Sequence, residues 1–329
     1  MPRKLILDVD TGTDDAVALM LAALHPALDL VAATTVNGNV PVDYCTENSL
    51  RVFDHIGVAV PVYEGVAKPI ERDDFPIPRA DIQSSNAVHG GYLDIPPSRS
   101  TKQSTGAVEF LVETYRAATD EIVLVPVGPL SNIATALLQE PRLKDLIPEL
   151  VIMGGANRYG NVTPRAEFNV WADPEAAKVV IGSGIRKITL VPLDATHQAL
   201  VSLDDCVALR ALGTPAGDAA ATFTERRISG YDTTQPMKRP NAAPVHDALA
   251  VASLVDRTVI TTHRLHVDVE TKGELTVGET VVDTNFRSRR EPNVDVALDA
   301  DEPRFVALLL ETFARTPASG AVEGDRATA

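Results

Sequence analysis

Leu5-Ile6-Leu7-Asp8-Val9-Asp10-Thr11-Gly12-Thr13-Asp14-Asp15, continuing through Leu24 to Leu30-Val31-Ala32-Ala33-Thr34-Thr35-Val36, is the stretch from which the fold can be read. Its first six residues run apolar and then alternate, which predicts a strand. A Thr-Gly-Thr turn follows. Val17, Met20, Leu21 and Leu24 then recur at helical spacing, with Asp14 and Asp15 in the first turn, where the helix dipole favours negative charge. The run 30–36 predicts a second buried strand. A strand, a helix and a strand in about 35 residues make a βαβ unit, hence parallel pairing with a right-handed crossover.

The same rhythm extends outward. Strands are predicted at 59–63, 122–127, 150–153 and 188–191, and helices at 107–118, 132–138 and 174–181. The second half is more helical, at 203–212, 219–228 and 247–254. Two late strands, 265–269 and 280–283, are expected near a sheet edge, and a terminal helix spans 303–315. Residues 68–104, rich in Pro, Asp, Ser and Gly, predict a long irregular loop that carries a binding segment or lid. Small polar residues at 316–329 predict a disordered tail. The expectation is a single α/β domain over 1–315, with a mostly parallel central sheet and helices on both faces.

Composition narrows the function. The chain has 329 residues, 45% hydrophobic and 23% charged, as in a soluble globular protein. A net charge of −15 without a basic stripe argues against a nucleic-acid partner. No apolar run approaches the ~20 residues that a membrane span requires. Two cysteines, Cys45 and Cys206, stand outside any metal-type spacing, and the start MPRKLILDVDTG is no signal peptide, so a reduced cytoplasmic setting is expected.

Polar residues fall repeatedly just after the predicted strands, where open parallel sheets bind ligands. They are Asp10; Asn37-Gly38-Asn39; Gly128-Pro129-Leu130-Ser131-Asn132; and Met153-Gly154-Gly155-Ala156-Asn157. Four carboxylates, Asp8, Asp10, Asp14 and Asp15, lie within eight residues. Brought together they repel, and a hard divalent cation with all-oxygen ligands, Ca²⁺ or Mg²⁺, resolves the conflict. The competing account is local: Asp14 and Asp15 cap the helix and Asp10 bonds the turn. Asp247 in His246-Asp247-Ala248-Leu249-Ala250 likewise reads either as an N-cap or as a further ligand that brings His246 to the site. His89 lies in the long loop. In Ala166-Glu167-Phe168-Asn169 the alternation aims Glu167 and Asn169 into one cleft; capping accounts for Asp173 beyond it but not for those two.

Taken in order, DVDTGTDDA at 8–16, VNGN at 36–39, VGPLSNIA at 127–134, MGG at 153–155, AEFN and DPEAA within 166–177 and HDALA at 246–250 resemble the inosine-uridine-preferring nucleoside hydrolase family. The blocks span residue 5 to roughly 255. The resemblance implies a Rossmann-like nucleoside hydrolase fold and calcium-dependent cleavage of a ribonucleoside to ribose and free base. It implies that Asp10, Asp15, Asp247 and the backbone carbonyl of Val127 hold Ca²⁺, and that Asp10 takes a proton from a calcium-bound water. Asp14, Glu167 and Asn169 would hold the ribose hydroxyls, with Asn39, Met153 and Asp247 beside them. His246 would donate a proton to the departing base, with His89 nearby and Tyr231 reaching the base. Asp8 has no ligand role, and Trp171 is expected in the core rather than stacked on a base. Family habit implies a homotetramer or homodimer. Base preference would lie with 68–104 and 223–245.

Two other readings compete. Asp8-Val9-Asp10-Thr11-Gly12-Thr13 resembles the DxDxT element of haloacid dehalogenase-type phosphatases, with Asp8 as nucleophile, but then AEFN and HDALA have no purpose. A calcium-dependent nucleoside or ribose binder without turnover would not require His246 or His89.

Overall fold

The computed structural model describes residues 1–76 and 88–315. Part of the predicted loop (77–87) and the predicted disordered tail (316–329) lie outside the described residues. The first half runs β1 (Arg3–Val9), α1 (Thr13–Leu24), β2 (Leu28–Thr35), α2 (Val42–Ile56), β3 (Val62–Glu64), α3 (Ala107–Ala117), β4 (Ile122–Pro126), α4 (Ser131–Gln139), α5 (Leu143–Leu146) and β5 (Leu150–Met153). Then come α6 (Phe168–Ala172), α7 (Pro174–Ile181), β6 (Ile188–Val191), α8 (Leu193–Thr196), β7 (Leu200–Ser202), α9 (Leu203–Ala211), α10 (Pro215–Thr234), β8 (Ala242–Pro244) and α11 (His246–Val255). The chain closes with β9 (Ile260–Leu265), β10 (Val267–Val269), β11 (Thr280–Val282), β12 (Val294–Ala300) and α12 (Glu302–Phe313).

Eight strands form the central sheet in the order β3-β2-β1-β4-β5-β6-β12-β9. Every neighbouring pair is parallel except β12 with β9. A parallel sheet must be covered on both faces, and β1 shows how. Leu5, Leu7 and Val9 enter one core, with α1, α2, α9, α10, α11 and α12. Ile6 enters the other, with α3, α4 and α7. The chain leaves β1 toward β2 and β3, then returns to place β4 on the other side of β1. That reversal is a topological switch point, and a crevice opens beyond the carboxyl ends of β1 and β4.

Three expectations are corrected. Helix α2 was not read from the sequence, although Cys45, Ser49, Val52, Phe53 and Ile56 recur at helical spacing and are buried. Strand β12 was also missed; it sits inside the sheet between β6 and β9. The late strands expected near a sheet edge are not part of the central sheet, whose edge is β9; β10 and β11 form a separate antiparallel ribbon. The predicted helix at 219–228 is the middle of the longer α10. Trp171 is fully buried with Phe75, Ala166 and Ala172, as expected of core packing. Among the described residues no helix is long and apolar enough to cross a membrane.

Candidate active site

A pocket opens at the switch point. Asp14, Asn39, His89, Val127, Met153, Glu167, Asn169, Tyr231, His246 and Asp247 all line it. They come from the start of α1, the turn after β2, the loop between β3 and α3, the ends of β4 and β5, α6, α10 and the start of α11. Asp10 and Asp15 lie just beneath, 1% and 0% exposed. Asp8 is fully buried away from the pocket; the Thr34 hydroxyl and Asn132 Nδ2 donate to its Oδ1. The phosphatase reading, which needs Asp8 as an accessible nucleophile, is thereby overturned.

The local and the functional accounts of the acidic segment divide residue by residue. Asp15 does cap α1: the Gly12 N–H donates to its Oδ2 at 2.9 Å and the Asp10 N–H to its Oδ1 at 3.1 Å. Asp10 Oδ2 accepts the Asn39 N–H at 2.6 Å, while its Oδ1 is buried with no hydrogen-bond partner. Asp247 is not an N-cap. Helix α11 begins at His246 and Val245 holds the cap position, so Asp247 lies in the first turn. Asp14, Asp15 and Asp247 each offer an oxygen within 4.8 Å of the others, an arrangement that could hold a metal ion.

Glu167 corrects a sequence expectation. The segment is not extended, and Glu167 is itself the N-cap of the one-turn helix α6. Its carboxylate accepts the N–H groups of Asn169 at 2.9 Å, Val170 at 3.3 Å and Gly155 at 2.8 Å. Capping and pocket lining therefore coincide in one residue. Asn169 Nδ2 donates to the Val127 carbonyl at 2.7 Å and the Met153 carbonyl at 3.2 Å. A carbonyl oxygen has two lone pairs, so Val127 keeps one for a second partner.

Burial sets the protonation of the site. It pushes Asp15 up to about 7, helped by the charge of Asp14, and Glu167 to about 7. Asp10 and Asp247 are raised well above the ordinary carboxylate range, first by burial and then by neighbouring aspartates. Burial lowers His89 to about 4 and His246 well below its usual range, so both imidazoles are neutral near neutral pH. His246 has two hydroxyl partners: Tyr231 at 2.6 Å from Nε2 and Thr196 at 2.7 Å from Nδ1.

Arg227 was not singled out from the sequence. It is 1% exposed, lines the pocket, and places Nη1 2.7 Å from Asp14 Oδ1. Its Nε donates to the Pro244 carbonyl at 2.9 Å and its Nη1 to the Thr13 hydroxyl at 3.2 Å. The guanidinium lies 5.4 Å from the centre of the Tyr231 ring. Glu225-Arg226-Arg227 reads as a solvated helical face, and nothing local distinguishes the arginine that turns inward. Asn161 and Gln235 also line the pocket and carried no motif.

Sheet topology and pocket together define an α/β protein with a carboxylate-rich ligand site at its switch point. Residues 5–307 match the family model described as inosine-uridine preferring nucleoside hydrolase. The chain is 38% identical over 322 residues to an inosine-uridine preferring nucleoside hydrolase of Leishmania major, covering 96% of this chain and 98% of that one. It is 37% identical over 309 residues to a pyrimidine-specific ribonucleoside hydrolase of Escherichia coli, covering 94% and 96%. Among solved structures, a purine-preferring ribonucleoside hydrolase from Gardnerella vaginalis superimposes with a TM-score of 0.86 at 34% identity, covering 95% and 98%. The chain belongs to the inosine-uridine preferring nucleoside hydrolase family, and so is an enzyme that hydrolyses the N-glycosidic bond of nucleosides.

Proposed function

We propose that the protein is a calcium-dependent ribonucleoside N-ribohydrolase that uses Asp10 as general base and the His246–Tyr231 pair to assist the departing base. The observation that carries this reading is the meeting, in one pocket, of Asp14 and Asp247, with Asp15 within reach of both just beneath, and a hydrogen-bonded imidazole and phenol.

The donor set suits a hard cation. It is all oxygen, and Asp10 Oδ1 is buried without a partner. Asp10, Asp15, Asp247 and the Val127 carbonyl would hold Ca²⁺, with Asp14 adjoining. The ion when bound supplies positive charge that neutralises this cluster and polarises oxygens beside it.

The residues of the chain do the rest. Cleavage passes through a ribosyl group with oxocarbenium character. Asp14 and Glu167 place negative charge and hydrogen-bond acceptors beside that developing cation. Asn169, Asn39 and Met153 complete the ribose side of the pocket. Asp10 accepts the proton of the attacking water, a role worth roughly 10²–10⁴-fold. On the other wall His89 and Tyr231, the latter backed by His246, supply hydrogen-bond donors to a nucleobase that leaves poorly as an anion. The named relatives differ in base, taking inosine and uridine, pyrimidine ribonucleosides or purine ribonucleosides; ribose is their common part. Cys45 and Cys206 are both buried and are not joined in a disulfide, in keeping with a cytoplasmic location. A homotetramer or homodimer is the expected assembly, read by light scattering.

The test is ribose release, followed as reducing sugar, from inosine, uridine, cytidine and adenosine. Turnover of at least one is expected, abolished by a strong chelator and restored by Ca²⁺. Silence across the panel would sink the reading, and full activity in chelator would remove the metal from it.

A further inference from the structure

We propose that Thr196 is a positioning residue: its hydroxyl holds His246 in the Nε2–H form and so frees the Tyr231 hydroxyl proton to point into the pocket. The inference deepens the reading above and rests on it only for what Tyr231 meets there.

Thr196 ends the short helix α8 that follows β6, and it is 1% exposed. Its side chain does not line the pocket. Its Oγ1 stands 2.7 Å from His246 Nδ1 and has no other hydrogen-bond partner among the described residues. The Tyr231 hydroxyl stands 2.6 Å from Nε2 and likewise has only that partner. Two hydroxyls thus flank one imidazole, and an imidazole with a single proton can donate at one nitrogen only.

The two arrangements are not equivalent. If Nδ1 carried the hydrogen and donated to Thr196, the buried Thr196 proton would have no acceptor. A buried donor left unpaired suffers the full loss of its hydration. If Thr196 donates instead, Nδ1 is the acceptor and the ring hydrogen sits on Nε2. It then donates to the Tyr231 oxygen. The Tyr231 proton can no longer bond to the ring, and the open direction is the pocket that Tyr231 lines.

The consequence is catalytic. In the disfavoured arrangement Tyr231 spends its proton on Nε2 and presents the base with an acceptor only. In the favoured one it presents a hydrogen-bond donor, polarised by the Nε2–H behind it. Such a bond strengthens as negative charge builds on the leaving nitrogen, so it lowers the barrier more than it tightens binding. The His197 ring, with its centre 5.7 Å from that of His246, packs beside this pair and helps hold the imidazole plane. Thr196 touches neither ribose nor base and acts through His246.

Nitrogen NMR of the calcium-loaded full chain with labelled histidine tests the tautomer directly. The expected result is a hydrogen on Nε2 of His246 and none on Nδ1; a hydrogen on Nδ1 overturns the proposal. Thr196→Val removes the hydroxyl and keeps the shape. It should lower kcat on natural nucleosides ~10- to 100-fold, leave KM little changed, and spare p-nitrophenyl riboside, whose leaving group needs no donor. Thr196→Ser should restore kcat. Equal losses on both substrates, or no loss on nucleosides, would also overturn it. If the wild-type chain released no ribose from any nucleoside, the proposed function would fall, while the NMR result would still decide the tautomer.

Discussion

Gly38 lies in the turn after β2, and the reason for its bare α-carbon lies at the end of a different strand. A Cβ there would stand 2.0 Å from Asp10 Oδ2 and 2.5 Å from Asp10 Cβ and Cγ. Rotating the aspartate cannot relieve a clash with its own Cβ. Gly128 meets the same carboxylate, with 2.8 Å from its would-be Cβ to Asp10 Oδ1. The two glycines form a slot that fixes the proposed general base. Gly38→Ala should therefore lower kcat about 100-fold, since misplacing a reacting group by about 1 Å has that effect, with the circular dichroism spectrum unchanged. Normal turnover in that variant would show that the placement of Asp10 is immaterial. At this scale the carboxylates were legible, because four of them in eight residues need an explanation. Their individual partners were not, because those partners come from residues such as Asn39 and Arg227 that are remote in the chain.

Helix α10 crosses from the surface into the site and delivers Arg227 and Tyr231 from successive turns. Spacing of four residues puts both on one face. Arg227 ties α10 to two other elements: Asp14 and Thr13 at the start of α1, and Pro244 in β8. Arg227→Met keeps the stem but leaves Asp14 buried with no countercharge. Breaking a buried pair in this way costs about 3–5 kcal/mol. Urea denaturation of the metal-free protein should show a loss of that order, and added Ca²⁺ should reduce it by neutralising the same carboxylate. No loss of stability would mean that Asp14 is relieved in another way. Helix α6 was misread at this scale for a definite reason. Five residues are too few for periodicity to declare a helix, and Glu167 as a cap looks the same in sequence as an extended acidic residue.

Taken over the whole molecule, the buried acids make stability depend on pH and on cation. Burial raises Asp8, Asp15 and Glu167 to about 7. In the unfolded chain such groups titrate near 4. The folded protein therefore binds protons that the unfolded chain has already released. The stability these groups contribute is fully present below about pH 4 and is lost as pH rises through about 7. Partly exposed acids such as Asp283, held down to about 2 by hydrogen bonds from Ser288 and its neighbours, act in the opposite sense and only under stronger acid. The melting temperature of metal-free protein should fall between pH 5.5 and 8 by calorimetry. Ca²⁺ at about 100 times its Kd should return about 2.7 kcal/mol, more tightly bound at pH 8 than at 5.5 because its ligands must lose protons. A metal-free melting temperature that climbs over that range would contradict the assigned burial.

Sheet class, parallel order and the end of the sheet that carries the site were all readable along the chain. They follow from local rules: an apolar run of strand length, helical spacing after it, and polar residues at each strand end. Those signals survive because each element must bury its own face whatever its neighbours are. The motif blocks likewise pointed to the pocket residues, which the chain does bring together from Asp14 to Asp247. Folding in three dimensions settled matters of partnership. It set β12 between β6 and β9, turned Arg227 rather than Arg226 onto Asp14, made Glu167 a cap as well as a pocket wall, and left the Thr196 hydroxyl with His246 as its one partner among the described residues. Apart from the local Glu167 cap, each of these joins residues tens to hundreds of positions apart, or depends on which of two similar neighbours is turned inward. Charge and hydrogen-bond satisfaction decide such choices, and they are properties of the packed molecule rather than of any segment.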